Sequence, residues 1–498
     1  MRAWIPAIVL TLGGIGLASA ADAPLVTAAQ ARDSHAALAL IHQGVDVNAA
    51  GEDGTTALHW ATHNDDIELI DALLKVRAKV NTVNDYGASP MAEAAVIGNV
   101  AVLEKLLKAG ADPEATNAQG QTALMVIART RNVDAARLLI KRGAKVNAAE
   151  RLRGQTALMW AAAESQPAMV RELLARGAAV NAVTLVNQSQ RQVSGEPRAQ
   201  YRPAGGFTAL MFAARQGCLD CAKHLVEKGA KIDYADPEGV TPLILAVNNF
   251  NFDTGAYLLS KGANPNLWDW WGRTALYCAV DLNTLPRGGR ADLPSLDKTT
   301  SLQMIDLLLK AGANPNLQLK LLPPYRAVGA DRGADTLLTI GTTPLIRAAK
   351  AGDTAAITLL LAHGGNPNLP QVAGINAVMA AAGVGSTNID TRGSLKTQAQ
   401  TIASLTLLLA GGGEVTLQDS QGRTALHGAA FWGWNEVIRH LAAQQAPLDA
   451  KDLKGFTALD YALGKAGGQG RGGQGVTVHP DSAKLIEELL GSKATAQR

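Results

Sequence analysis

The sequence predicts an all-α solenoid of about eleven stacked helix–turn–helix units, and two observations carry that reading. First, a Thr-Ala-Leu-like tripeptide recurs along the 498 residues, beginning at Thr56, Ser89, Thr122, Thr156, Thr208, Thr241, Thr274, Thr343, Asn376, Thr424 and Thr457. The steps are 33, 33, 34, 52, 33, 33, 69, 33, 48 and 33, so one period of 33 underlies the whole series once insertions are allowed. Second, each tripeptide opens the same pattern of two short apolar helical segments closed by a glycine.

The unit Gly120 to Asn147 shows why this pattern folds as it does. Thr122-Ala123-Leu124-Met125 opens a short helix whose apolar side continues through Val126 and Ala128. A second helix follows, with Val133, Ala136, Leu138, Leu139 and Ile140 at helical spacing. Gly143 stops it, because glycine takes the left-handed conformation that closes a helix. Gly44, Gly110, Gly177, Gly229, Gly262, Gly312 and Gly364 stand in equivalent places. Neither helix buries its apolar side alone, so each unit must be covered by the next.

The repeated segments closely resemble the ankyrin repeat. Gly-Arg-Thr-Ala-Leu-His at Gly422 to His427 and Lys-Ala-Gly-Ala-Asn-Pro-Asn at Lys310 to Asn316 carry the likeness, which runs from a half-unit at Ala36 to Val47 through Leu490. The resemblance implies two antiparallel helices per unit, a hairpin finger projecting between units, and binding through fingertips and inner helices. Arg77 and Gln445 depart from the glycine of the helix stop, and Asn376 from the opening threonine, so those units are expected to be locally weaker.

Before the repeats, Arg2 is followed by the apolar run Trp4 to Leu17 and by Ala18-Ser19-Ala20, the arrangement of an export signal. Residues 1–20 are therefore expected to be a signal peptide cleaved before Ala21, residues 21–490 a single repeat array, and residues 491–498 a C-terminal tail. Localisation is accordingly expected to be periplasmic or secreted. No later apolar run reaches the roughly 20 residues of a transmembrane segment. The net charge of +3 gives no ground for a nucleic-acid partner. Three cysteines are too few for a disulfide framework, so packing must supply the core.

The insertions fall in two classes. Gly177 to Thr208 and Gly312 to Thr343 each span 31 residues where Gly110 to Thr122 spans 12, which places long insertions at 183–206 and 317–341 in two fingers. Those segments include Arg191, Arg198, Tyr201, Arg202, Lys320, Tyr325, Arg326 and Arg332, and loops of this length in a compact scaffold are functional or disordered. Insertions at 282–300, 384–400 and 464–481 instead separate the two helices of one unit, on the side away from the fingers. The glycine-rich run Gly467 to Gly473 lacks the lysine and Ser/Thr of a P-loop and reads as a flexible connection.

Trp268-Asp269-Trp270-Trp271-Gly272-Arg273 is the strongest surface signal, because register puts it at a fingertip where other units carry polar residues. Tryptophan is enriched at binding hot spots. Either a partner covers these rings or they pack against the long finger 317–341. With Trp268, Trp270, Trp271 and Arg273, the finger residues Tyr201, Arg202, Tyr325 and Arg326 complete the expected partner contacts. Phe431, Trp432 and Trp434 are expected to pack or cap, and Trp60 and Trp160 to lie in the core.

Cys218 and Cys221 begin a second helix with the i,i+3 spacing of a local disulfide. A redox role would need a βαβ setting, haem attachment a histidine where Ala222 stands, and zinc further ligands. Cys278 reads as a small buried residue. His59 and His63 have the spacing of two helical metal ligands, but His59 is the histidine of the repeat turn, as His427 is, and no Glu follows it. No cofactor, no metal and no catalytic residue are therefore expected. The expected function is a non-catalytic scaffold binding a protein partner through its concave face and long fingers. Its rivals are an enzyme whose site is built from the finger insertions, and an envelope protein binding glycans through its tryptophans.

Overall fold

In many repeats a threonine hydroxyl caps the first helix. Met211 N–H donates to Thr208 Oγ1 at 3.3 Å, Ile244 N–H to Thr241 Oγ1 at 3.2 Å and Tyr277 N–H to Thr274 Oγ1 at 3.1 Å. Asn376 does the same work, accepting from Met379 N–H at 2.9 Å, so the expected weakness there is not found at the cap. At Arg77 and Gln445 the chain still turns through the left-handed region, with φ of 64° and 63°. A side chain in that conformation costs about 1 kcal/mol relative to glycine.

The computed structural model describes residues 23–191, 200–284, 297–321, 337–386, 396–466 and 477–496. They divide into two compact units, residues 1–161 with 175–178 and residues 162–174 with 179–498. The expected signal peptide lies outside the described residues. Among the described residues, no helix is long and apolar enough to cross a membrane.

In the first unit, the inner helices Pro24–Gln30, Ala57–His63, Pro90–Ile97 and Ala123–Ala128 pack successively on one another, and the outer helices Ser34–His42, Ile67–Lys75, Val100–Lys108 and Val133–Lys141 do likewise. Ala57, Leu58 and Ala61 on an inner helix and Leu69, Ile70 and Leu73 on its outer partner are at most 1% exposed, so the core runs between the two layers. The half-unit expected at the start is a full helix pair. Its inner helix Pro24–Gln30 starts from Ala23, which has no side chain to cap with, and that hid it from a search for threonine.

The second unit repeats the plan from Ala209–Gln216 and Leu219–Glu227 to Ala458–Ala462 and Pro480–Ala496. In the described part of the insertion at 183–206, β1 (Val186–Arg191) pairs antiparallel with β2 (Gln200–Gly205), where a loop is expected. At the base of the second long finger, Leu319 N–H donates to Thr342 O at 3.0 Å and Gly341 N–H to Leu319 O at 2.8 Å. The insertions between helices end by docking on neighbouring helix ends. Asp253 accepts from Lys298 N–H and Thr299 N–H, at 3.0 and 2.9 Å. Lys396 Nζ donates to Lys350 O and Ala380 O, at 3.1 and 2.9 Å.

At five joins a carboxamide ties one repeat to the next. Asn316 Oδ1 accepts from Asn366 N–H at 2.7 Å while its Nδ2 donates to Gly364 O at 2.9 Å, so one side chain satisfies both a helix-end carbonyl and the turn after it. Asn81, Asn181, Asn266 and Asn368 make the same pair of bonds to Gly110 and Asp112, Gly229 and Lys231, Gly312 and Asn314, and Gly412 and Glu414. The sequence separation is 29 for Asn81 to Gly110 and 48 for Asn316 to Gly364, so the insertions leave the bridge unchanged.

Asn316→Ala removes both bonds and is expected to lower the unfolding free energy by about 1–2 kcal/mol. Asn316→Asp keeps the acceptor half, as Asp233 does natively toward Asn264 N–H at 2.8 Å, and is expected to lose less. Urea unfolding followed by circular dichroism measures both, and equal losses would show that the bond accepted from Asn366 N–H contributes nothing.

Candidate functional site

The fingers are tied edge to edge by single backbone bonds. In the first unit Asp85 N–H donates to Asp53 O at 2.9 Å. In the second, Lys320 N–H donates to Trp271 O at 2.8 Å, Val372 N–H to Ile340 O at 2.9 Å, Ser420 N–H to Ala373 O at 2.9 Å and Leu453 N–H to Gln421 O at 2.8 Å. The approach needs glycine before each join. Gly272 has φ of +81°, and a Cβ there would stand 2.5 Å from Lys320 N.

On this row the tryptophan finger is split. Trp268 is 50% exposed and Trp270 37%, whereas Trp271 is 6% exposed. Trp271 is held between two guanidinium groups, that of Arg202 at 5.2 Å from its ring centroid and that of Arg273 at 4.8 Å. Arg202 also lies 5.7 Å from the Trp270 ring, and Lys320 Nζ 5.7 Å from that of Trp268. Around the two exposed indoles, the second unit's fingers present Val183, Leu185, Val186, Leu321, Ile340 and Val372 to solvent. The fingers of the second unit thus expose several large apolar side chains, with Lys320 beside Trp268.

An acidic residue organises several of the turns beneath the tips. Asp269 Oδ1 accepts from Trp271 N–H and Arg273 N–H, at 3.1 and 2.9 Å, and its Oδ2 takes Arg273 Nη2 at 2.7 Å. Both side chains are buried, and despite the cost of burial the charge of Asp269 holds the Arg273 guanidinium above its ordinary value. Asp419 and Arg423 repeat the arrangement at 2.6 Å, and Asp452 uses the Tyr461 hydroxyl at 2.9 Å instead. Asp236 occupies the same place but has Val240 where the arginine stands. Its Oδ1 accepts from Glu238 N–H and Val240 N–H, at 2.9 and 2.8 Å. Burial, with Glu238 and Asp269 adding their repulsion, outweighs those bonds and pushes the Asp236 carboxyl up to about 6.

The expected contact residues therefore separate. Trp268 and Trp270 stand on the surface, at the rim of the fingers. Trp271 and Arg202 are buried and Arg273 nearly so, and they form a pedestal for Trp270, because Arg202 from the long ribbon lies over the Trp270 and Trp271 rings with Glu238 Oε1 3.9 Å away. Tyr201 lies in β2, opposite Gln190. Tyr325 and Arg326 lie outside the described residues. Sequence reasoning missed Leu321, Ile340 and Val372, and in other fingers Tyr86, Leu152 and Leu453. Several of these stand one or two residues before a finger glycine, a register that could have identified them.

Trp60 and Trp160, expected in the core, are half-buried on inner helices, Trp160 under the Arg129 guanidinium at 4.9 Å. Phe431, Trp432 and Trp434 pack on one another, and Trp432 Nε1 donates to Gly383 O at 3.0 Å. Cys218 and Cys221 are joined as a disulfide at the start of the helix Leu219–Glu227, and Cys278 is buried. The His59 ring spends both nitrogens on the fold, at 2.8 Å from Thr56 Oγ1 and 3.1 Å from Ala88 O, and His427 does so with Thr424 and Phe456. Burial pushes both imidazoles below their ordinary value and keeps them neutral. His63 turns instead to Glu93, at 3.0 Å, so the two histidines do not share a ligand site.

Comparison with known families decides what this geometry is. The profile described as ankyrin repeats (3 copies) matches residues 25–117, 91–184 and 210–319, and that of a single ankyrin repeat matches 340–371 and 421–453. The chain belongs to the ankyrin-repeat family. Among solved structures it is similar to the human ASB11 ankyrin repeat domain, with 24% identity over 49% of this chain and 99% of that one, and a TM-score of 0.40. Comparison with curated proteins gave no match. Ankyrin repeats are in general protein–protein interaction modules.

The missing partner of Asp236 has a measurable consequence. Its folded value of about 6 lies above the 3.8 of an unhindered carboxyl, so the stability tied to its protonated form is complete below about pH 4 and is lost as pH rises through 6. Asp236→Asn keeps the turn, as Asn84 and Asn117 do in their own fingers, each accepting two turn N–H groups. The variant is expected to gain on the order of 2–3 kcal/mol at pH 7.5 and nothing at pH 4. Denaturant melts at the two pH values test this, and an equal effect at both would show that Asp236 ionises normally.

Proposed function

We propose that this ankyrin-repeat protein is a non-catalytic scaffold that grips a protein partner on the finger row of its second unit, outside the cytoplasm, in the periplasm or as a secreted protein. The observation that carries the reading is the pedestal. Trp271 packs against the guanidinium groups of Arg202 and Arg273, and Arg202 also lies over the ring of Trp270, so that indole is held at the surface by a packed support, with the exposed Trp268 beside it on the same finger. Anchors fixed in this way lose little side-chain freedom on binding, which is what makes tryptophan effective at interface centres.

The titratable groups of the finger row support a binding role over a catalytic one. Asp269 and Asp419 are committed to Arg273 and Arg423, and Asp452 to Tyr461, each holding a turn in shape. Export is supported by the apolar run Trp4 to Leu17 followed by Ala18-Ser19-Ala20, and by the disulfide between Cys218 and Cys221.

The test compares Trp268→Ala/Trp270→Ala with Leu307→Ala, which removes an exposed apolar side chain from the outer helix Ser301–Lys310. With a partner isolated by crosslinking on the unaltered chain, the tryptophan pair is expected to weaken binding by about 2 kcal/mol or more while the melting temperature stays within a few degrees. Leu307→Ala is expected to leave binding unchanged. Full affinity in the double variant, or a matching loss in Leu307→Ala, would overturn the assignment.

A further inference from the structure

At the other aromatic surface, in the first unit, the charge is reversed. A cavity of about 270 Å³ opens beside the first finger, lined by Val26, Thr27 and Gln30 of the first inner helix, by Gly51, Glu52 and Asp53 of the finger, and by Trp60. The indole of Trp60 is half-buried and held at its edge by His63, with ring centroids 5.7 Å apart, and His63 is fixed in turn by Glu93 at 3.0 Å. The cavity therefore has one firm aromatic wall and two carboxylates at its rim.

Neither carboxylate is neutralised. Thr55 N–H donates to Asp53 Oδ1 at 2.9 Å and holds that carboxyl below the usual carboxylate range, while Glu52 is exposed. Among the described residues no lysine or arginine is paired with either. This contrasts with the turns of the second unit, where Asp269 and Asp419 each hold an arginine. The next finger continues the character with Asp85 and the 68% exposed Tyr86, and is tied to the first by the bond from Asp85 N–H to Asp53 O.

We infer that the cavity walled by Trp60, Glu52 and Asp53 is a receptor for a cationic group, the guanidinium or ammonium of an arginine or lysine side chain presented by a protein partner. An ammonium or guanidinium over an indole face gains from the ring quadrupole, and flanking carboxylates add charge-assisted hydrogen bonds. The apolar wall of Val26 receives the methylene stem of such a side chain. The inference rests on the chain's being a protein-binding scaffold, but it concerns residues far in sequence from Trp268 and Trp270 and is read separately from them.

The test uses the full chain labelled with 5-fluorotryptophan, whose Trp60 fluorine resonance is assigned with Trp60→Phe. Capped Gly-Arg-Gly and Gly-Lys-Gly peptides are expected to shift that resonance saturably, and a capped Gly-Glu-Gly peptide to leave it in place. Glu52→Gln/Asp53→Asn is expected to weaken the arginine peptide about fivefold or more at low salt. Glu52→Gln alone leaves the turn bond of Asp53 untouched, so an intermediate loss there separates charge from folding. Equal shifts from the arginine and glutamate peptides, or undiminished affinity in both variants, would overturn the receptor. A shift from spermidine with none from either basic peptide would overturn the partner side chain as its occupant. A negative result here leaves the tryptophan fingers as the binding surface, and loss of the finger assignment leaves the peptide titration unaffected.

Discussion

The bridge made by Asn81, Asn181, Asn266, Asn316 and Asn368 is the constraint on which the repeats depend. Each carboxamide answers two obligations at once, the unsatisfied carbonyl at a helix end and the N–H that starts the following turn. Two short helices with alanine-rich facing surfaces bury too little to stand alone, so a register that repeats from unit to unit is what makes the stack of inner helices a core. Side chains that reach only the next repeat suffice for this, because a stacked repeat contacts only its neighbours.

That locality explains where the chain can vary. The bridge from Asn316 to Gly364 spans a sequence separation of 48 with the same geometry as Asn81 to Gly110 at 29. An insertion between fingers or between helices thus leaves the stacking bonds untouched. The fold is free to build a ribbon at 183–206 and to carry the Arg202 side chain from it onto the Trp271 ring. Function is placed on the same logic. Buried pairs such as Asp269 with Arg273 shape the turns, and the tips above them differ from finger to finger, from the acidic Glu52 and Asp53 to the aromatic Trp268 and Trp270.

Much of this was legible in the sequence, and the parts that were not have physical reasons. The threonine caps, the glycine stops and the location of the insertions are local features, and the family membership follows from the first two. The first inner helix escaped notice because Ala23 stands where threonine would cap it. The division of Trp271 from Trp268 and Trp270 was out of reach, since it depends on Arg202 arriving from a distant ribbon and on Lys320 joining the Trp271 carbonyl. Trp60 and Trp160 were misplaced for a related reason. Their position in the inner helix is buried in several repeats, as with Phe212, but it is only half-buried in these two, as it is at Val126.

The central claim is that the fingers of the second unit, and not its outer helices, meet a partner. Hydrogen exchange on the full chain, alone and with a partner captured by crosslinking, tests it most directly. The account predicts slowed exchange at the finger backbone from Trp268 to Trp271 and from Leu319 to Leu321, with the outer helices Ser301–Lys310 and Thr354–Ala362 unchanged. Protection confined to those outer helices, with the fingers exchanging as they do in the free protein, would contradict it.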